Sequence, residues 1–421
     1  MKIGILSINA YTTVLNYASP LHSYAFQQFL DQNGIDNVIV DYRPQWWNEF
    51  FDQRVYDPYQ YYLDHPMEDD EAQKQMLDKW ERLRELRPQR ADRINRFVRE
   101  HYRMTEGAYD QAALESSDPE CDIYICATDV IWKYEPLYGF DRGFFLNGPV
   151  MEGKGKIAYA ASKGPSDYTP EQEEIFFRMI RPFHYVSCRE KSLLELVKKE
   201  RPASLVLDPV FLHEASFYEE ICRKPEEEHY VLVYTVMQRS RSLIRKACEF
   251  AERHGLQVID VSDDANILYG RKKYPRKNRY DAGVEEWLGY LRYADYVFTN
   301  SFHACCFSII FRKEFFTGIR SGDKIPSLLN LFGLGWRNIA DTEEIPAKPI
   351  SWGKIDALRR QYKDQSAQFI LQAIRETGKA LEDPAYTPVQ LQAVEAEAPA
   401  GGEEEKSGGL LGRIRQLFSR K

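Results

Sequence analysis

Residues 2–8 read KIGILSI, residues 21–32 read LHSYAFQQFLDQ, and after Gly34 residues 38–42 read VIVDY. The outer two are short runs rich in aliphatic and β-branched residues, and the middle one is an amphipathic stretch of helical length closed by a glycine. This β–α–β order predicts two parallel strands joined by a right-handed helical crossover. The alternation then recurs. Strand-like runs at Asp122–Cys126, Lys156–Ala160, Tyr185–Cys188 and Leu205–Leu207 complete a first α/β domain over residues 1–210. After Asp208-Pro209 and the acidic run Glu226–Glu228, a second series starts at Tyr230–Thr235. It continues through Val258–Val261 and Tyr296–Asn300, with helix-like segments at 240–253, 284–293, 304–311 and 325–332.

Two segments stand outside this alternation. Residues 44–111 hold an aromatic stretch and then the highly charged helical run Glu68–Arg103, expected as an insertion capping the first domain. Residues 351–385 read as one amphipathic helix long enough to run back across the first domain. The expected fold class is therefore α/β, with two Rossmann-like doubly wound domains, 1–210 and 211–350, facing a cleft in a glycosyltransferase-B-like arrangement. Residues 386–421 read as a flexible linker and a basic tail, because Ala393–Gly409 is dominated by Ala, Glu, Gly and Pro.

Composition narrows the partners. Lys plus Arg number 56 against 64 Asp plus Glu, a formal charge of −8, so nucleic acid is not an expected partner. Aromatic residues make up 14%, and such rings suit clefts for sugar-like ligands. The start MKIGILSINA has no signal-peptide pattern and no stretch of 18 or more apolar residues occurs, so a cytoplasmic location is expected. In the tail, Leu410, Leu411, Ile414, Leu417 and Phe418 share helical spacing beside Arg413, Arg415, Arg420 and Lys421. That pattern marks residues 409–421 as a peripheral contact for an anionic inner-membrane surface, or as a partner-docking or disordered end. The seven cysteines form no CxxC pair and read as reduced thiols, and no ligand cluster argues for a metal.

No GxGxxG follows the first strand and no GxxxxGK[ST] occurs. Instead that strand ends in the polar loop Asn9–Ser19, where Asn16 and Ser19 read either as contacts to substrate hydroxyls or as helix caps. Residues 295–310 read DYVFTNSFHACCFSII. A hydrophobic strand ends in Thr299-Asn300-Ser301 and an apolar helix begins beside His303, which places an imidazole at a helix N-terminus, where an anion is favoured and a proton is exchangeable near pH 7.

Six blocks stand in order along the chain: Asn16-Tyr17-Ala18, Thr128-Asp129 with Trp132, Ile157–Ser162, Ser187-Cys188-Arg189-Glu190-Lys191-Ser192, Leu207-Asp208-Pro209 and Thr299–His303. In order and spacing they resemble the polysaccharide pyruvyl transferase family over residues 1 to about 340. The family's usual residues differ at Ala18 (Gly), His22 (Gln), Ala127-Thr128 (Gly-Ser), Lys163 (Phe) and Ala304-Cys305 (Gly-Thr). The resemblance implies a GT-B-like enzyme that uses phosphoenolpyruvate as co-substrate, without a further cofactor, to place a pyruvate ketal on a sugar of a cell-surface glycan or its lipid-linked precursor. Its chemistry needs a proton donor for the enol methylene and cations for the donor's anionic groups.

On that basis His303 is the expected acid and Asp129 the expected base, unless Asp129 serves only as a helix cap. Arg189, Asn300, Ser301, Arg320 and Lys324 are expected at the donor, with ordinary ion pairs or a solvated face as the alternative for the charged ones. Asn16, Ser19 and Trp132 are expected at the acceptor, Trp132 by stacking on a sugar ring. A nucleotide-sugar glycosyltransferase of the same architecture and a catalytically inactive glycan-binding relative are the competing readings.

Overall fold

The computed structural model describes residues 1–8, 15–44, 57–164, 167–236, 240–263, 266–270 and 272–391. Strands β1 (Ile3–Leu6), β2 (Asn37–Tyr42), β3 (Met104–Tyr109) and β4 (Ile123–Asp129) precede a short hairpin of β5 (Tyr134–Glu135) and β6 (Gly139–Phe140). Next come β7 (Gly155–Ala161), β8 (Tyr185–Cys188) and β9 (Ser204–Leu205). Apart from the hairpin they form one sheet in the order β3-β2-β1-β4-β7-β8-β9, every pair parallel. Strands β10 (Tyr230–Tyr234), β11 (Gln257–Asp260), β12 (Lys277–Asn278), β13 (Tyr296–Thr299) and β14 (Glu314–Thr317) form a second parallel sheet, ordered β12-β11-β10-β13-β14. The chain is two Rossmann-like α/β halves.

Parallel strands covered on both faces should be apolar throughout, not alternating. The central strands obey this. In register, Ile3 faces Ile123 and Ile5 faces Ile125, all fully buried. One face of this sheet is covered by Phe369, Ile370, Ala373 and Ile374 of the long helix Trp352–Glu382, which pack with Ile3, Ile5 and Ile123. The other face packs Leu6, Val40 and Cys126 against Phe176 and Ile180. In the second sheet Val231, Leu232, Val233, Val297 and Phe298 are fully buried in the same way.

Residues 44–111 behave differently from the expected cap on the first domain. Their last part, β3, joins the first sheet as an edge strand beside β2. Their helices Asp70–Leu83 and Leu86–His101 reach the second half, where Trp80 and Leu83 pack with Ile267 and Tyr280. Arg90 lies over the rings of Tyr17 and Tyr280 at 4.2 and 4.8 Å and donates to the carbonyls of Leu15 (2.8 Å) and Ser262 (3.3 Å). Arg87 donates to the Tyr280 hydroxyl at 2.9 Å. The arginines that make this segment look solvated in sequence are the groups that strap one half to the other.

Candidate active site

Because every strand in both sheets is parallel, the loops at their carboxyl ends gather on one side, where α/β sheets bind ligands. Five of these ends supply the polar and titratable groups of the seam: Ser7 after β1, Asp129 ending β4, Arg189 after β8, Asp208 after β9 and His303 after β13. Thr128 and Asp129 both have left-handed backbone, φ 59° and 61°. That conformation is an outlier for a β-branched residue, and strain of about 1–3 kcal/mol per residue is held only where neighbours over-determine it. Here the neighbours are ionic. Asp129 Oδ1 accepts from the Arg189 guanidinium at 2.6 Å, and Thr128 Oγ1 donates to Asp208 Oδ2 at 3.1 Å.

Asp208 is the hub. Its Oδ1 accepts the Val210 N–H at 3.2 Å, and its Oδ2 accepts from Arg189 at 2.7 Å. His303 Nε2 lies 3.5 Å from the same Oδ2, within ion-pair range when the ring is protonated. Lys324 Nζ approaches Asp129 Oδ1 at 3.8 Å, and the Arg189 guanidinium sits 4.4 Å over the Phe302 ring. The side chains of Arg189 and Asp208 are 1% and 0% exposed, those of Asp129 and Lys324 14% and 30%, so the cluster is open to solvent on its Lys324 side. Burial would raise both carboxyl pKa values, but Arg189 and Lys324 at Asp129, and His303 and Arg189 at Asp208, hold them well below the carboxylate range.

His22, on the helix Ala18–Gln32, faces His303 across the seam with ring centroids 5.5 Å apart and planes inclined by 25°. Its Nδ1 lies 3.2 Å from Ser23 Oγ and 3.4 Å from Ser7 Oγ. Burial and the neighbouring His303 lower its pKa to about 4, so the ring is neutral near pH 7. Burial raises the Glu190 carboxyl instead, while its Oε1 accepts the Lys163 N–H at 2.9 Å.

Of the residues expected from sequence, His303, Asp129, Arg189 and Lys324 come together here. The others are placed differently. Trp132 is completely buried, stacked on Phe145 with its Nε1 donating to the Phe144 carbonyl at 3.2 Å, so its ring packs the core and is not offered to a sugar. Arg320 is exposed and pairs with Asp341 at 2.9 Å, and Asn300 spends its amide on Val236 and Ser240. Ser301 caps the helix Phe302–Ile310 by accepting the Ala304 N–H, which removes that donor from the expected anion site. Asn16 spends its Oδ1 on the Ala18 N–H at 2.9 Å in the turn that enters the helix, and Ser19 is fully buried in the helix. Arg189 has both terminal nitrogens engaged by carboxylates, so it orders the cluster where a free anion clamp was expected.

His22, Thr128 and Asp208 belong to the cluster without having been singled out for a role. Their signal was present: Asp208 and Thr128 stand in shared blocks, and His22 replaces the family's glutamine.

Two parallel α/β halves meeting at a buried, charged seam define a GT-B-like two-domain architecture. The chain belongs to the polysaccharide pyruvyl transferase family, whose model matches residues 21–321, and is accordingly a transferase. Solved structures similar to it include UDP-N-acetylglucosamine 2-epimerase from Rickettsia bellii, at 10% identity over 91% of this chain and 98% of that one, with a TM-score of 0.47. Another is Methanocaldococcus jannaschii UDP-GlcNAc 2-epimerase in complex with UDP-GlcNAc and UDP, at 11% identity, 89% and 99% coverage and a TM-score of 0.41. A third is Arabidopsis thaliana UGT89C1 complexed with quercetin, at 9% identity, 91% and 98% coverage and a TM-score of 0.37. Among curated proteins no match was found. No helix among the described residues is long and apolar enough to cross a membrane.

Proposed function

We propose that this transferase takes the pyruvyl group of phosphoenolpyruvate and places it as a ketal on a sugar of a cell-surface polysaccharide or its lipid-linked precursor. The observation that carries this reading is the seam cluster, where an imidazole backed by a buried carboxylate stands beside a partly exposed lysine. His303 gives a proton to the methylene carbon of the donor, and Asp208 steadies the imidazolium. The adjacent carbon becomes oxocarbenium-like and is attacked by one sugar hydroxyl. Its bond to the phosphate oxygen then breaks, and a second hydroxyl of the sugar closes the ketal. The two hydroxyl protons balance the methyl group formed and the hydrogen phosphate released. In this reading Lys324 meets the donor's anionic groups, and Arg189, locked between Asp208 and Asp129, positions the carboxylates. Asp129, held ionised by Arg189 and Lys324, is a poor base, and its part is electrostatic.

Phosphate release that requires both phosphoenolpyruvate and a glycan acceptor, read alongside thermal shift, tests this reading. Phosphoenolpyruvate should raise the melting temperature, because ligand bound only to the folded state stabilises it by mass action. A response to UDP-sugars with none to phosphoenolpyruvate would replace it with the glycosyltransferase reading. Residues 409–421 lie outside the described residues, and their sequence supports a peripheral hold on an anionic membrane near lipid-linked acceptors. Vesicle co-sedimentation of the full chain should exceed that of a chain ending near residue 400, and should weaken in high salt. Equal sedimentation by both would remove that part of the proposal.

A further inference from the structure

The seam holds more charge chemistry than the acid step uses. Nε2 of His22 and Nε2 of His303 are both buried without a hydrogen-bond partner among the described residues, as are Arg189 Nε and Glu190 Oε2 beside them. Buried polar atoms are seldom left this way, and an orphan in a native structure calls for an occupant. The groups acting on His22 are His303, Asp208 and Asp129 together with Arg189; Lys324 and Glu190 complete the surroundings. The Arg189 and Lys324 cations are already opposed by the Asp129 and Asp208 carboxylates. With those cations offset and the His22 ring neutral, the site is a poor receptacle for a donor carrying a carboxylate and a phosphate. Something must add positive charge as the anion enters.

We propose, resting on the phosphoenolpyruvate reading above, that His22 is a second imidazole of the donor-anion site and takes up a proton from solvent when the donor binds. The ring is poised for it: Ser7 and Ser23 hold Nδ1, leaving Nε2 bare beside His303. An opposite charge within a few ångströms stabilises the protonated form and reverses the effect of burial. By linkage, a ligand that draws in a proton binds more weakly as pH rises, about tenfold per pH unit for each proton. The glutamine usual in the family at this position forms hydrogen bonds but takes no proton, so this coupling is a property of the His22 chain.

Calorimetry of phosphoenolpyruvate binding at pH 7.5, in buffers of different ionisation enthalpy, counts the protons. Wild type should take up about one more than His22→Gln, and its Kd should rise more steeply with pH. Equal counts in the two proteins would overturn the role of His22 and leave the donor reading standing. No binding of phosphoenolpyruvate by wild type would instead overturn the donor reading. The pair is tested independently of that outcome, and of how well the variant folds, by imidazole nitrogen NMR of wild-type protein titrated with inorganic phosphate. Movement of the His22 signals to the imidazolium position supports the proposal. Signals of a neutral ring at saturating phosphate overturn it.

Discussion

Buried cations sit at the seam between the two halves in two places, and the company they keep differs. In the strap, Arg90 is held by neutral groups, the carbonyls of Leu15 and Ser262 and the faces of Tyr17 and Tyr280. In the cluster, Arg189 is held by two carboxylates, and one of these is shared with an imidazole at 3.5 Å. Backbone carbonyls and ring faces do not titrate near neutral pH, so these contacts of Arg90 do not themselves respond to pH, although the same helix adds the ion pairs Arg93–Asp281 and Arg96–Glu285. Carboxylates and imidazoles exchange protons and can rearrange around an incoming anion. The same element, a buried guanidinium, is therefore fastening in one region and part of a responsive network in the other.

The sharpest way to separate the regions is to remove His303. His303→Ala should lower transfer about 10²- to 10⁴-fold, the span of lost positioned acid catalysis, while the melting temperature stays near wild type. Turnover near wild type in the purified variant would show that the cluster does not supply the acid. Asp208→Asn strikes the hub. Removing one partner of a buried pair leaves uncompensated charge and costs about 3–5 kcal/mol, measurable by denaturant titration. A loss below about 1 kcal/mol would mean that Asp129 alone satisfies Arg189.

The contrast also predicts a pH dependence. His22 has its pKa lowered from 6.5 to about 4 in the fold, so between these values the unfolded chain binds more protons than the native state. Its contribution is therefore present above pH 6.5 and lost as pH falls toward 4, a change of about 3 kcal/mol. Wild type should lose this increment over that window, and His22→Gln should lack it. Parallel stability curves for the two proteins would contradict the neutral state of the ring. Arg90→Met, which keeps the apolar stem and removes the guanidinium, should cost about 2 kcal/mol from the unpaired carbonyls and the lost ring contacts. That cost should be the same at pH 5 and pH 7.5; a marked difference would mean that a titrating group also holds Arg90.

The local signals were strong enough in sequence to set out the two α/β series, because a strand buried on both faces must be apolar throughout and a crossover helix must be amphipathic. The run Tyr185–Cys188 and the helix Val284–Tyr293 stand where the pattern placed them. Part of the site was legible for the same reason: Asp129, Arg189 and His303 lie at the ends of recognisable strands, where ligand groups collect. Trp132 also lies just past a strand end, but its neighbours Phe145, Phe176 and Phe183 close over it, and a residue's neighbours are not written in its local pattern. The arginines of the Leu86–His101 helix likewise carry the composition of a solvated face. Only the position of the second sheet turns them inward, toward Tyr280 and Ser262.

The amino-acid order by itself determined which segments become strands and helices and that the sheets are parallel, since those follow from periodicity and propensity within a dozen residues. Tertiary structure alone decided that His22 meets His303, that Asp208 serves three partners and that the charged insertion spans both halves. Each of these is a contact between segments distant in the chain, and its existence depends on strand order and on how the two sheets face each other. Burial then assigns the chemistry, because the same imidazole or carboxylate is an ordinary surface group in water and a perturbed, partner-dependent one where water is excluded.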